Sequence, residues 1–100
     1  MTLELAELVW CRHVVEHSPF PLFTLCRLYE LTADNGWCIM VSVVPPYMLT
    51  INGHYSVLSH EQWAAMIRQV GFTIKDLVDR PFEPNGIIGL EQRWLLKKGE

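Results

Sequence analysis

The chain has 100 residues, enough for one small domain, and half of them are apolar while 19% are charged, which excludes an intrinsically disordered protein. Its formal net charge of −3 lacks the basic excess that is the usual electrostatic footprint of nucleic-acid binding. No apolar run approaches the roughly 20 residues of a membrane-spanning helix, and the first residues lack the basic region of a signal peptide, so we expect a cytoplasmic protein without nucleic-acid or membrane partners.

The first half of the chain predicts a strand, a helix and a second strand. An apolar run at residues 8–15 predicts a strand in a sheet covered on both faces. Ser18 is the predicted N-cap of the helix and Pro19 its first residue. A turn at residues 34–36, with Gly36 at positive φ, is expected to end the helix. The predicted core face has the spacing i, i+3, i+4, i+7: Leu22, Leu25, Cys26 and Tyr29.

A second apolar run at residues 37–44 predicts a buried strand, which the prolines at 45 and 46 end. Two strands joined by a helix form a right-handed parallel unit. Ligands of open α/β sheets bind beyond the carboxyl ends of such strands. Candidate functional residues are therefore expected in residues 11–17 and 45–54.

The second helix has the strongest local signals in the chain. Ser59 and Gln62 have the spacing of a capping box, and Gly71 follows as a C-terminal stop. The predicted core stripe consists of Trp63, Met66, Ile67 and Val70.

The last part of the chain predicts two strands, at residues 72–80 and 87–97, with no helix between them, so they should pair antiparallel. The expected fold class is α/β. It has two main helices and a four-stranded mixed sheet in the order 1-2-4-3, in which the last strand is antiparallel to its neighbours.

The run at residues 7–17, Glu-Leu-Val-Trp-Cys-Arg-His-Val-Val-Glu-His, resembles the fourth strand and its exit in class I S-adenosylmethionine-dependent methyltransferases. The pattern there is roughly Asp-Leu-Val, three variable residues and Val-Leu-Glu-His. The helix and strand that follow, and the helix–Gly–Phe–strand segment beginning at Ser59, resemble later elements of the same family. The resemblance covers about residues 7–97 and implies half of a Rossmann-like methyltransferase fold.

Two features depart from the family pattern. The family's Pro-Gly-Gly turn is Asp-Asn-Gly at residues 34–36, and none of the six glycines belongs to the G-x-G-x-G loop that cradles the cofactor. The acidic residue that holds the cofactor ribose also has no counterpart. The chain therefore looks like a single half-domain over residues 1–100, and Met1 is either a true start or a fragment boundary.

The sequence is compatible with three functions. The first is a truncated methyltransferase-like domain without independent catalysis. The second is a methyltransferase that is active when another polypeptide supplies the missing N-terminal half. The third is a small α/β protein-interaction module. Whether the chain is an enzyme is left undecided.

The resemblance also implies site residues. Cys11, Arg12 and His13 match positions that line the methionine side of S-adenosylmethionine. His13, His17 and His54 are candidate catalytic bases because histidine titrates near neutral pH, and the alternative is that each is an ordinary loop histidine. The four-residue spacing of His13 and His17 would suit a metal only on a helix, so no metal site is predicted. Arg12 could instead pair with a nearby glutamate, either Glu7 or Glu16.

Three cysteines, an odd number, lie in apolar segments, which indicates reduced thiols: Cys11, Cys26 and Cys38. The strand at residues 8–15 should also leave an apolar edge without protective charge or proline. Such an edge is a template for pairing with another chain, so we expect an antiparallel homodimer through this strand.

Overall fold

The computed structural model describes residues 5–45, 55–82 and 89–100. These residues form four strands and two α-helices, with a short 3-10 helix at Val15–His17. In chain order the elements are β1 (Ala6–Arg12), α1 (Pro21–Leu31), β2 (Thr32–Val43), α2 (His60–Val70), β3 (Phe72–Phe82) and β4 (Gly89–Lys98). No helix in these ranges is long and apolar enough to span a membrane.

The four strands form one mixed sheet in the order β1-β2-β4-β3, so the predicted order is confirmed. Strand β1 is parallel to β2, with Trp10 beside Ile39. Strand β4 is antiparallel to both of its neighbours, and Trp94 lies between Met40 and Leu77. The carboxyl ends of β1 and β2 and the amino end of β4 therefore lie at the same end of the sheet.

The predicted start of the first helix is wrong. The N-cap is Phe20 and the first helical residue is Pro21, whereas Ser18 has an extended backbone. The Ser18 hydroxyl accepts a hydrogen bond from the Phe20 N–H and pairs with the Thr24 hydroxyl. The Ser56 hydroxyl also donates to the Ser18 carbonyl. These contacts hold Ser18 outside the helix, and the second of two prolines fills the N1 position.

The predicted core face of α1 is partly wrong as well. Leu25 and Leu28 are buried, and Tyr29 packs against the core, but Leu22 is 43% exposed and Cys26 is only half-buried. The buried stripe of α1 therefore runs through Leu25, Leu28 and Tyr29 rather than through Leu22 and Cys26.

The predicted turn at residues 34–36 lies inside β2, because α1 passes directly into the strand at Thr32. Positive φ occurs at Asn35, not at Gly36. Gly36 is required for space instead, since a Cβ there would lie 2.8 Å from the Ala33 carbonyl oxygen and 3.0 Å from that of Glu7. The glycine allows β1 and β2 to approach closely.

Helix α2 is as predicted. The Ser59 hydroxyl accepts from the Gln62 N–H, and the Gln62 side-chain carbonyl accepts from the Ser59 N–H, which completes the capping box. Gly71 ends the helix in the left-handed conformation, with φ of 115°.

Both helices pack on the same face of the sheet. They bury a cluster that takes alternate residues from the strands: Cys11, Cys38, Met40, Trp94 and Leu96 from the sheet, and Leu25, Leu28, Trp63 and Ile67 from the helices. The opposite face carries Leu8 and Trp10, each 56% exposed. The expectation of a first strand covered on both faces is therefore wrong within the described ranges.

Candidate functional site

Strand β1 ends earlier than predicted because His13 turns the chain. Its N–H still donates to the Val41 carbonyl oxygen at 2.8 Å, but its φ of 54° is left-handed. Histidine is among the non-glycine residues enriched in this backbone conformation, which is strained for any residue that has a Cβ atom. The turn places the His13 ring at the end of the sheet that contains the carboxyl ends of β1 and β2.

Glu91 lies at the same end of the sheet, near the start of β4 and opposite Val43 of β2. It is 2% exposed. Its Oε2 accepts from His13 Nε2 at 2.9 Å and from Arg12 Nη2 at 3.4 Å. Its Oε1 accepts from Arg93 Nε at 3.0 Å and lies 2.9 Å from Arg93 Nη2. The carboxylate therefore has three basic partners: Arg12 at the end of β1, His13 directly after it, and Arg93 on β4.

These partners control the protonation of Glu91. Burial alone raises the pKa of this carboxyl, but the hydrogen bonds from His13 and Arg93 and the charges of Arg12 and Arg93 oppose it. The net pKa lies below the ordinary value for glutamate. Glu91 is therefore a carboxylate at neutral pH.

Glu16 is a second buried carboxylate near His13. It lies in the 3-10 helix and is fully buried. Its Oε2 accepts from the Ser42 hydroxyl at 3.3 Å, and its Oε1 lies 3.6 Å from His13 Nδ1. Within the part of the chain that the structure describes, Oε1 accepts no hydrogen bond. The His13 ring thus lies between two buried carboxyl groups, one beside each nitrogen.

The incomplete bonding of Glu16 leads to a first prediction. Glu16→Gln should raise the free energy of unfolding by about 1 kcal/mol, because an amide has no charge to desolvate and keeps an acceptor for Ser42. Urea unfolding of both proteins measures this difference. A loss of stability would contradict it and show that the Glu16 charge is compensated by His13. Glu61→Gln, on the exposed first turn of α2, is the control.

Cys11 is buried beside this cluster. Burial, and next the Glu16 carboxylate, raise the pKa of the Cys11 thiol to about 11. Burial, and next Cys11, raise the pKa of Cys38 to about 12. Both residues are neutral thiols at physiological pH, so neither is a nucleophile there.

Of the residues predicted for the site, Arg12 and His13 both contact Glu91, whereas Cys11 faces the helix-side core. His17 is exposed at the end of the 3-10 helix, and His54 lies outside the described residues. The partner of Arg12 is Glu91, so neither of the nearby glutamates considered from the sequence was correct. In the ranges the structure describes, no group of three or more metal-binding side chains could hold an ion.

Gln92 is a further residue that the sequence did not single out. It is fully buried on the helix side of β4. Its Nε2 donates to the carbonyl oxygens of Val43 at 2.8 Å and Leu58 at 3.0 Å, and its Oε1 accepts from Trp94 Nε1 at 3.0 Å. Gln92 thus links the carboxyl end of β2 to the segment that precedes α2. A Glu-Gln-Arg run inside an apolar strand was the signal that could have revealed both Gln92 and Glu91.

Comparison with known proteins identifies the fold. No family model matches the sequence, and no curated protein matches it either. Solved structures do match over almost the whole chain. A Bacillus halodurans protein covers 100% of it with a TM-score of 0.80 at 14% identity. The N-methyltransferase NodS from Bradyrhizobium japonicum covers 100% with a TM-score of 0.69 at 16% identity. A SAM-dependent methyltransferase from Archaeoglobus fulgidus covers 95% with a TM-score of 0.70 at 16% identity.

The chain therefore has a class I methyltransferase-like fold, as the sequence resemblance implied. It spans 73%, 55% and 60% of the lengths of these three proteins, respectively. At such low identity the likeness concerns the fold alone, because one fold supports many functions.

Proposed function

We propose that this chain is a methyltransferase-like half-domain that does not bind S-adenosylmethionine tightly by itself. The observation that carries this proposal is the pairing of Arg12 and His13 with Glu91. The two polar side chains at the candidate cofactor positions are held by another part of the same chain. A ligand would have to compete with a buried carboxylate for both of them.

The chemistry of the cofactor supports the same proposal. When bound, S-adenosylmethionine supplies an electrophilic methyl group on a sulfonium, and its amino-acid end carries a carboxylate. Backbone N–H groups of a glycine-rich loop at a helix N-terminus are a common means of holding such anionic groups. The sequence has no G-x-G-x-G loop, and the remaining candidate, Cys11, is a buried thiol. The residues present therefore do not fit the whole cofactor.

Calorimetric titration with S-adenosylmethionine tests this proposal. The expected result is a dissociation constant weaker than about 100 µM, equivalent to a binding free energy of about −5.5 kcal/mol or weaker. One cofactor bound per chain in the low micromolar range would contradict the proposal. In that case Arg12→Gln, compared with Arg27→Gln on the exposed face of α1, would show whether the candidate site is responsible.

A second candidate function is methyl transfer after assembly with another polypeptide. The extra length of the matching structures favours it, since this chain spans little more than half of NodS. In such an assembly His13, between Glu16 and Glu91, is the candidate base for the proton of the methyl acceptor. The DNA upstream of the Met1 codon provides a test. A neighbouring, separate reading frame that encodes a strand, a glycine-rich loop and a helix would support assembly, and its absence would count against it. The same segment in frame with Met1 would instead mean that both halves belong to one polypeptide.

A further inference from the structure

The two edges of the sheet differ in their protection. In the described part of the chain, β3 and β1 are the outer strands, so each leaves one edge without a neighbouring strand. Strand β3 has an irregularity between Ile74 and Asp76, and along it lie exposed charged residues and a proline: Lys75, Asp76, Asp79, Arg80 and Pro81. Bulges, charges and prolines are the features that prevent edge-to-edge pairing.

Strand β1 has none of these features in its centre. Its charged residues are Glu7 near one end and Arg12 at the other, and the residues between them are Leu8, Val9, Trp10 and Cys11. Its pairing with β2 is regular from Leu8 to Arg12. A regular, apolar edge of this kind is suited to pairing with another strand.

The large exposed apolar side chains of β1 lie on one face of the sheet. Leu8 and Trp10 point away from the helices and are each 56% exposed, whereas Val9 and Cys11 face the core. Two such large apolar groups at alternate positions would remain in water unless another surface covered them.

We propose that the partner of this edge is a second copy of the chain, paired antiparallel about a two-fold axis at Val9. This register places Leu8 of each copy opposite the partner's Trp10, on the same face of a continuous eight-stranded sheet. Glu7 and Arg12 lie near opposite ends of β1, so this register also brings the acidic end of each strand near the basic end of the other, with the two side chains on opposite faces of the sheet. A parallel arrangement would bring like charges together. The edge is therefore complementary to itself.

Analytical ultracentrifugation tests the proposal at high micromolar concentration. The native chain should sediment at twice its monomer mass. Leu8→Lys should sediment as a monomer, since two lysines would face apolar groups in the seam. Val78→Lys, a matched change at an exposed position on β3, should remain dimeric. A monomeric native chain, or a dimeric Leu8→Lys variant, would overturn the proposal.

A cysteine at the two-fold axis gives a second test if circular dichroism shows that Leu8→Lys does not fold. In an antiparallel pair the two residues at position 9 would have Cα atoms about 4.5–5.5 Å apart, a separation that a disulfide spans. Val9→Cys should therefore form a cross-linked dimer under mild oxidation, well above the level of the native chain and of Val78→Cys. Cross-linking no greater than in these two controls would overturn the proposal.

Discussion

Replacing Gln92 with leucine is expected to lower the free energy of unfolding by about 3 kcal/mol. The leucine would fill a similar volume, but it would leave two carbonyl oxygens and the Trp94 Nε1–H without the partner that the amide supplies. Each buried polar group that loses its hydrogen bond costs about 1–3 kcal/mol, and the added apolar surface offsets only part of this. Urea unfolding at a fixed protein concentration measures the loss.

Two controls separate hydrogen bonding from packing in this experiment. Gln69→Leu, on the exposed side of α2, should change stability by no more than about 0.5 kcal/mol. Trp94→Phe should cost more than Trp63→Phe, although both tryptophans are buried. Trp94 Nε1 donates to Gln92, whereas Trp63 Nε1 has no hydrogen-bond partner among the residues described. Equal losses for the two tryptophans would contradict the role assigned to Gln92.

Replacing Glu91 with glutamine is expected to cost about 2 kcal/mol near neutral pH. The amide cannot accept hydrogen bonds from Arg93 and His13 with both of its ends, and it removes the negative charge between Arg12 and Arg93. Hydrogen bonds to charged groups contribute about 1.5–3 kcal/mol each, and the partial exposure of the two arginines reduces the loss.

The same substitution should change how the free energy of unfolding depends on pH in the acid range. The pKa of Glu91 is lower in the folded chain than the ordinary 4.5, so its carboxylate stabilises the fold above that value. This contribution disappears as the pH falls through the folded pKa, and the difference between Glu91→Gln and the native chain should then narrow. Urea unfolding at about pH 7 and about pH 3 tests this. Glu30→Gln, which breaks an exposed pair with Arg27, should have little effect at either pH. A constant difference at both values would contradict the prediction.

Local signals predicted the fold wherever a few neighbouring residues determine the structure. The hydroxyl of Ser59 and the amide of Gln62 cap α2 without help from the rest of the chain. The start of α1 was predicted wrongly at Pro19, because the true start at Pro21 depends on a distant contact. The hydrogen bond from Ser56 to Ser18, 38 residues apart, is one of the contacts that hold Ser18 extended. No pattern near Ser18 reveals that bond.

In the candidate site, too, the sequence predicted the local features but not the distant contacts. The family resemblance located Arg12 and His13 at the exit of the first strand, and in the structure Arg12 is the last residue of β1 and His13 follows it directly. Their partner Glu91 is 78 residues beyond His13, and it meets them only because β4 begins opposite the end of β2. The strand order was predicted, but the register between β2 and β4 was not. A carboxylate inside an apolar strand could therefore not be assigned to a partner from the sequence.

The thiols of Cys11 and Cys38 can report when the hydrophobic core opens. Both are buried on neighbouring strands, and with pKa values of about 11 and 12 they hold their protons at neutral pH. Alkylating reagents attack the thiolate, so these sulfurs stay unlabelled while the core between the helices and the sheet remains closed. Their rate of labelling thus follows the opening of this core, and it can be measured by mass spectrometry on the native sequence without an added probe.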